Sequence, residues 1–167
     1  MKFNHIKIAI AACGLLFVSC KPDSLKELGA DRDILNSLTG SWKLTKAVQV
    51  DEDAARKGFP YKEKDITAIF PYTDFKVTFN TQAGAPTTFT VDPGASPKVI
   101  KLTSGTWSVD NLNFPKMVYL ANGSATDTVS LGSYPVGAYN TFKLRKEKKD
   151  ATTGKLLLSY NYEFTKQ

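Results

Sequence analysis

Thiol and imidazole chemistry in this chain rests on three residues, His5, Cys13 and Cys20, all within its first twenty positions. From Lys21 to Gln167 there is no cysteine and no histidine. That stretch therefore holds no Ser-His-Asp triad, no Cys-His pair, no disulfide, and no zinc or haem site built on those ligands. Carboxylate acid–base work stays open, because 16 Asp and Glu remain. No pair of them stands out by spacing. Asp51, Glu52 and Asp53 are consecutive, and a calcium loop needs alternating oxygen ligands over about 12 residues with a glycine for the turn. Asp51 and Asp53 supply the first two positions only, so a solvated loop is the simpler reading. Neither a metal nor another cofactor is implied.

The crowding of reactive residues at the start of the chain has a cause. Met1 to Lys7 is short and basic at Lys2 and Lys7, and Ile8 to Val18 is an unbroken apolar run. The run is shorter than the roughly 20 residues a spanning helix needs, and it suits the apolar region of a secretion signal. It ends in Phe17-Val18-Ser19-Cys20, which resembles the lipobox of bacterial lipoproteins, with Ser19 at the small position and Phe17 where leucine is usual. The resemblance implies cleavage after Ser19 and acylation of Cys20, and two or more acyl chains anchor a protein stably to a membrane. An ordinary cleaved signal is the alternative. The expected organisation is a signal over 1–19, an anchor, tether and short helix over 20–35, and a β domain over 36–167. Processing removes His5 and Cys13 and consumes Cys20. The signal as a whole looks like that of Bacteroidetes lipoproteins. This implies an outer-membrane, lipid-anchored protein, and Asp23 leaves the membrane face open.

The formal charge of +6 falls by two when Lys2 and Lys7 leave. Basic residues then cluster at Lys143, Arg145, Lys146, Lys148, Lys149 and Lys155. An anionic lipid or glycan could read such a patch, but lysines that guard a solvated strand edge give the same pattern. The aromatic-plus-basic interleaving of a nucleic-acid platform is missing, so no nucleic-acid partner is expected.

The elements that would position these residues are mostly strands. Residues 24–39 read as one helix or two, with Ser24 and Asp31 as caps and Gly40 as the stop. Strands follow at about 41–50, 73–80, 86–92, 97–109, 117–121, 125–131, 139–147 and 155–165. Phe75, Val77 and Phe79 alternate with Asp74, Lys76 and Thr78; Phe142 and Leu144 alternate with Lys143 and Arg145. Leu156, Leu158, Tyr160, Tyr162 and Phe164 share one face. Gly105 is placed for a bulge or bend, Asn122-Gly123 for a tight hairpin, and 51–70 is a long connection with room for a helical turn. The fold class is all-β: an antiparallel eight-stranded barrel with a short N-terminal helix, or a β-sandwich. The barrel is preferred because closure removes the edge strands.

Leu38-Thr39-Gly40-Ser41-Trp42-Lys43-Leu44 resembles the opening signature of lipocalins, a short helix leading into Gly-x-Trp on the first strand. With Gly105-Thr106-Trp107 and Phe114-Pro115, the chain resembles the lipocalin-like lipoproteins of Bacteroidetes over most of 36–167. The resemblance implies that Trp42 packs at the closed end of the barrel beneath a late arginine, and Arg145 is the one arginine after Arg56. A second lipocalin signature is not evident. Tyr61, Phe70, Tyr72, Tyr119, Tyr134 and Tyr139 fall near strand ends and loops, where they could stack on a sugar or line an apolar pocket. They could equally cap the core. The expected function is non-catalytic: an envelope-anchored barrel that binds a small apolar or glycan ligand, or a filled barrel acting as a structural or interaction module. A cavity of a few hundred Å³ favours the first and a packed interior the second.

Overall fold

Alternation assigns an inner and an outer face to nearly every strand. A computed structural model describes residues 32–135 and 140–167. Helix α1 (Ile34–Leu38) leads into β1 (Gly40–Asp51), which runs directly into helix α2 (Glu52–Arg56). A short β2 (Glu63–Asp65) and a 3-10 turn (Tyr72–Asp74) precede β3 (Lys76–Gln82) and β4 (Ala85–Asp92). Then come β5 (Ser104–Val109), β6 (Met117–Asn122), β7 (Ala125–Ser133), β8 (Thr141–Lys149) and β9 (Leu156–Lys166).

Each strand from β3 to β9 pairs antiparallel with the next, and β1 joins β3 on one edge and β9 on the other. The result is a closed eight-stranded up-and-down barrel rather than a sandwich. The closing ladder runs from Trp42 opposite Lys166 to Asp51 opposite Leu158. Where β1 parts from β3 beyond Lys43, β2 takes over its free edge through Val48 to Val50. The connection predicted over 51–70 thus holds both a helical turn and a ninth, exposed strand. Of the helix expected over 24–39, the described part is Ile34–Leu38; residues 24–31 lie outside the described residues.

Two sequence-based boundaries move. Residues 73–75 form the 3-10 turn and its exit, so β3 starts at Lys76. Residues 97–103 are a connection, and the strand begins at Ser104. Val99 and Ile100 are adjacent and both buried, which a strand with side chains on alternate faces does not allow. This connection folds its apolar pair onto the core at the end of the barrel opposite α1. The antiparallel order puts α1 and the connection 110–116 at one end, and α2, 93–103 and 150–155 at the other.

Gly105 sits at φ 149°, and a Cβ there would lie 2.0 Å from the Ala121 carbonyl oxygen on β6. The β4–β5 ladder keeps its register through Gly105, and what the position shows is a close approach between backbones, which only glycine permits.

Candidate functional site

The barrel axis is the first place to look for a ligand, and side chains fill it. Trp42, Phe75, Phe79, Phe89, Phe142 and Phe164 are each no more than 2% exposed. Phe142 stacks on Phe164 at 5.0 Å and meets Trp42 edge-on at 4.7 Å, while Phe79 lies 4.9 Å from Trp107. Such rings each bury enough surface to dominate core energetics, and offset or edge-on pairs add about 0.5–1.5 kcal/mol. Trp107, of the second Gly-x-Trp, donates its indole N–H to the Asn80 carbonyl at 2.7 Å.

Trp42 occupies the end closed by α1, and its indole N–H donates to the Leu38 carbonyl at 2.8 Å. The cation over its ring is the Lys166 ammonium, 5.4 Å from the centroid, and not Arg145. Arg145 cannot reach the axis. On β8, Phe142 and Leu144 point inward, so Arg145 points out. By the same parity Lys166 shares the inner face of β9 with Tyr162 and Phe164, and that count identifies it from the sequence.

The tyrosines singled out as ligand contacts are not gathered into one site. Tyr61 is 94% exposed, and Tyr119 lies on the outer face of β6. Tyr134 donates its hydroxyl to the Pro115 carbonyl at 2.6 Å, and Tyr139 lies outside the described residues. Tyr72 is buried 5.9 Å from Tyr162, which stacks with Tyr160. Burial pushes the Tyr162 hydroxyl well above the ordinary tyrosine range, with Tyr72 adding to the effect, and it raises Tyr72 as well.

On the outer wall, α2 is tied down by charge. Asp51 caps it, accepting from the Asp53 and Ala54 N–H groups. Glu52 accepts from Arg145 at 2.8 Å and from the buried Ser159 hydroxyl at 2.5 Å. Asp53 pairs with Lys57, Lys155 and Arg56, and those hydrogen bonds, Lys57 foremost, hold its carboxyl far below the usual range. The three consecutive acids are thus a cap and two anchors. Among the described residues no group of three or more Asp or Glu is placed to hold a metal ion.

Most of the clustered basic residues make ion pairs while staying exposed, as a solvated strand edge would have them. Lys143 meets Glu163, Lys149 meets Glu147, and Lys146 meets Asp127. The last pair spans a break in the wall. The β7–β8 ladder runs only from Ser133 opposite Lys143 to Ser130 opposite Arg145, although β7 begins at Ala125 and β8 continues to Lys149. Beyond Ser130 the two strands part, and an open groove of about 440 Å³ lies along the seam.

Asp127 bridges this seam. Its side chain is 4% exposed, and it accepts from Lys146 at 2.8 and 3.1 Å. It also accepts from the backbone N–H groups of Lys101 at 2.8 Å and Thr128 at 3.0 Å. The groove is lined further by Met117, Ser130, Arg145, Glu147 and Lys149. Sequence reasoning missed Asp127 and Lys146 as partners. Parity would have found them: Asp127 shares a face with Val129 and Leu131, and Lys146 with Phe142 and Leu144, so each is a charge on an apolar face.

No helix among the described residues is long and apolar enough to cross a membrane. No curated protein and no solved structure matches the chain. One family model does, over residues 20–165, and by that match the chain belongs to the family described as a domain of unknown function, DUF5004.

Proposed function

We propose that this chain is a lipid-anchored envelope lipoprotein whose lipocalin-like barrel is a non-catalytic recognition module that binds on its outer wall. The filled axis carries the reading. Six rings, none more than 2% exposed, occupy the space in which an apolar ligand would lie. α1 stands at one end and Val99 and Ile100 are buried at the other. Of the two functions expected from the sequence, the geometry favours the filled barrel, and it moves any ligand to the surface. The anchor is supported by the apolar run ending at Ser19-Cys20. A non-catalytic role is supported by the carboxylates at α2 and the seam, which are taken up by caps and ion pairs.

Two measurements test this. Metabolic labelling with an alkyne palmitate should mark the protein in membranes, and Cys20→Ala should abolish the label; an unlabelled native protein sinks the anchor. Titration of the purified domain with a fluorescent fatty acid should show no saturable uptake. Saturable binding that quenches tryptophan would restore an axial pocket.

A further inference from the structure

The open seam between β7 and β8 has the features of a ligand site, and we propose that it binds a small acidic sugar, held through a carboxylate, sulfate or phosphate group. The inference rests on the outer-wall reading above and names the chemistry of the ligand. Its volume of about 440 Å³ falls within the range of small-molecule sites, about 300–1,000 Å³. The sign of charge follows from the lining. Four cations meet two carboxylates there, and both carboxylates are already engaged by protein partners.

Arg145 is committed to Glu52 and Glu147. Three ammonium groups remain to face an anion. Lys101 has no ion pair among the described residues, Lys149 has one long contact of 3.4 Å to Glu147, and Lys146 gives both its hydrogen bonds to a single carboxylate. An ammonium has three donors, so Lys146 keeps capacity for a further acceptor. It is 20% exposed, at the floor of the groove.

A sugar is favoured over a bare apolar acid by the rest of the lining. Thr128 and Ser130 present hydroxyls, and the strand edges beyond Ser130 lack a ladder partner, so N–H and C=O groups border the groove. Hydroxyls of a ligand could use both kinds of group, whereas an alkyl chain would leave them unpaired, which is costly. No aromatic ring lines the groove, which argues against neutral sugars held by stacking.

The experiment uses the mature chain in detergent micelles and titrates it by calorimetry with inorganic phosphate, inorganic sulfate, a hexuronic acid disaccharide and its neutral counterpart. A parallel arm offers phosphatidylglycerol vesicles to the unacylated Cys20→Ala protein. We expect saturable binding of the acidic disaccharide, weaker binding of the inorganic anions and none of the neutral sugar. Lys101→Ala with Lys149→Ala should weaken the acidic sugar by about tenfold, a difference of roughly 1.4 kcal/mol, while Lys57→Ala on α2 changes nothing. Both substituted lysines are exposed, so the fold should survive, and an unchanged melting temperature checks it. Binding to vesicles alone, binding indifferent to the double variant, or binding to no acidic probe overturns the proposal. None of these results bears on the filled axis, which the fatty-acid titration tests separately.

Discussion

At the scale of single residues, the positions that matter most are those where one atom has nowhere else to go. Gly105 is one. A methyl group there meets the Ala121 carbonyl 2.0 Å away, and backbone cannot swing aside as a side chain does. Gly105→Ala is expected to cost about 2–4 kcal/mol, read as a lower midpoint in urea with an unchanged slope. Asp127 is another, because three donors depend on its carboxylate. Its removal leaves Lys146 and two backbone N–H groups without their acceptor. Breaking a buried pair costs more than replacing it, and Lys146 is partly wet. Asp127→Ala should therefore lose about 2 kcal/mol, and Lys146→Met clearly less, measured in the same urea series. Inward- and outward-facing residues were legible in the sequence wherever alternation is strict. That rule already placed Arg145 on the wrong side of β8 to meet Trp42, and a motif-based expectation overrode it.

Among the elements, α2 shows what local reading misses. Five residues make a helix too short to stand alone in water, and nothing within Glu52–Arg56 is buried. It persists because Asp51 caps it and because Glu52, Asp53 and Arg56 reach β8, β9 and the turn before β9. Those contacts span about a hundred residues in sequence, so no window of the chain displays them. Asp51→Ala should cost about 1 kcal/mol, seen in thermal unfolding. The pH dependence has a definite sign. Asp53 has its folded pKa lowered by Lys57, Lys155 and Arg56, and Asp110 by the Met117 and Lys116 N–H groups. A depressed carboxyl pKa contributes stability that is present above the unfolded value, about 3.9, and is lost as pH falls through the folded one. The melting temperature should thus drop on acidification below about pH 4, less steeply in Asp53→Asn. Strands were legible where polar and apolar residues alternate, as in β3 and β9. The connection over 97–103 was not, because Val99 and Leu102 look like strand residues until Ile100 is seen buried beside Val99.

For the whole molecule, the packed axis sets behaviour at the alkaline limit. Burial raises the hydroxyl pKa of Tyr162 and Tyr72 in the folded state. Their contribution is full below the unfolded value of about 10, and it fades as pH rises towards the folded values. Stability should fall above about pH 10, with Tyr162→Phe resisting the fall. Tyrosinate absorbance should then rise in two phases, the later one coinciding with loss of the circular-dichroism signal. The seam that closes the barrel has a consequence in time as well as in space. β1 and β9 are the first and last long strands of the chain, and Thr45 meets Thr165 across 120 residues. Pairing at that separation is slow to form, and it has no partner until the C-terminal strand exists. A chain that emerges N-terminus first from a ribosome carries a barrel lacking its last stave. It stays threadable until Leu156–Lys166 is free, and a chain truncated before Leu156 should show no cooperative melting.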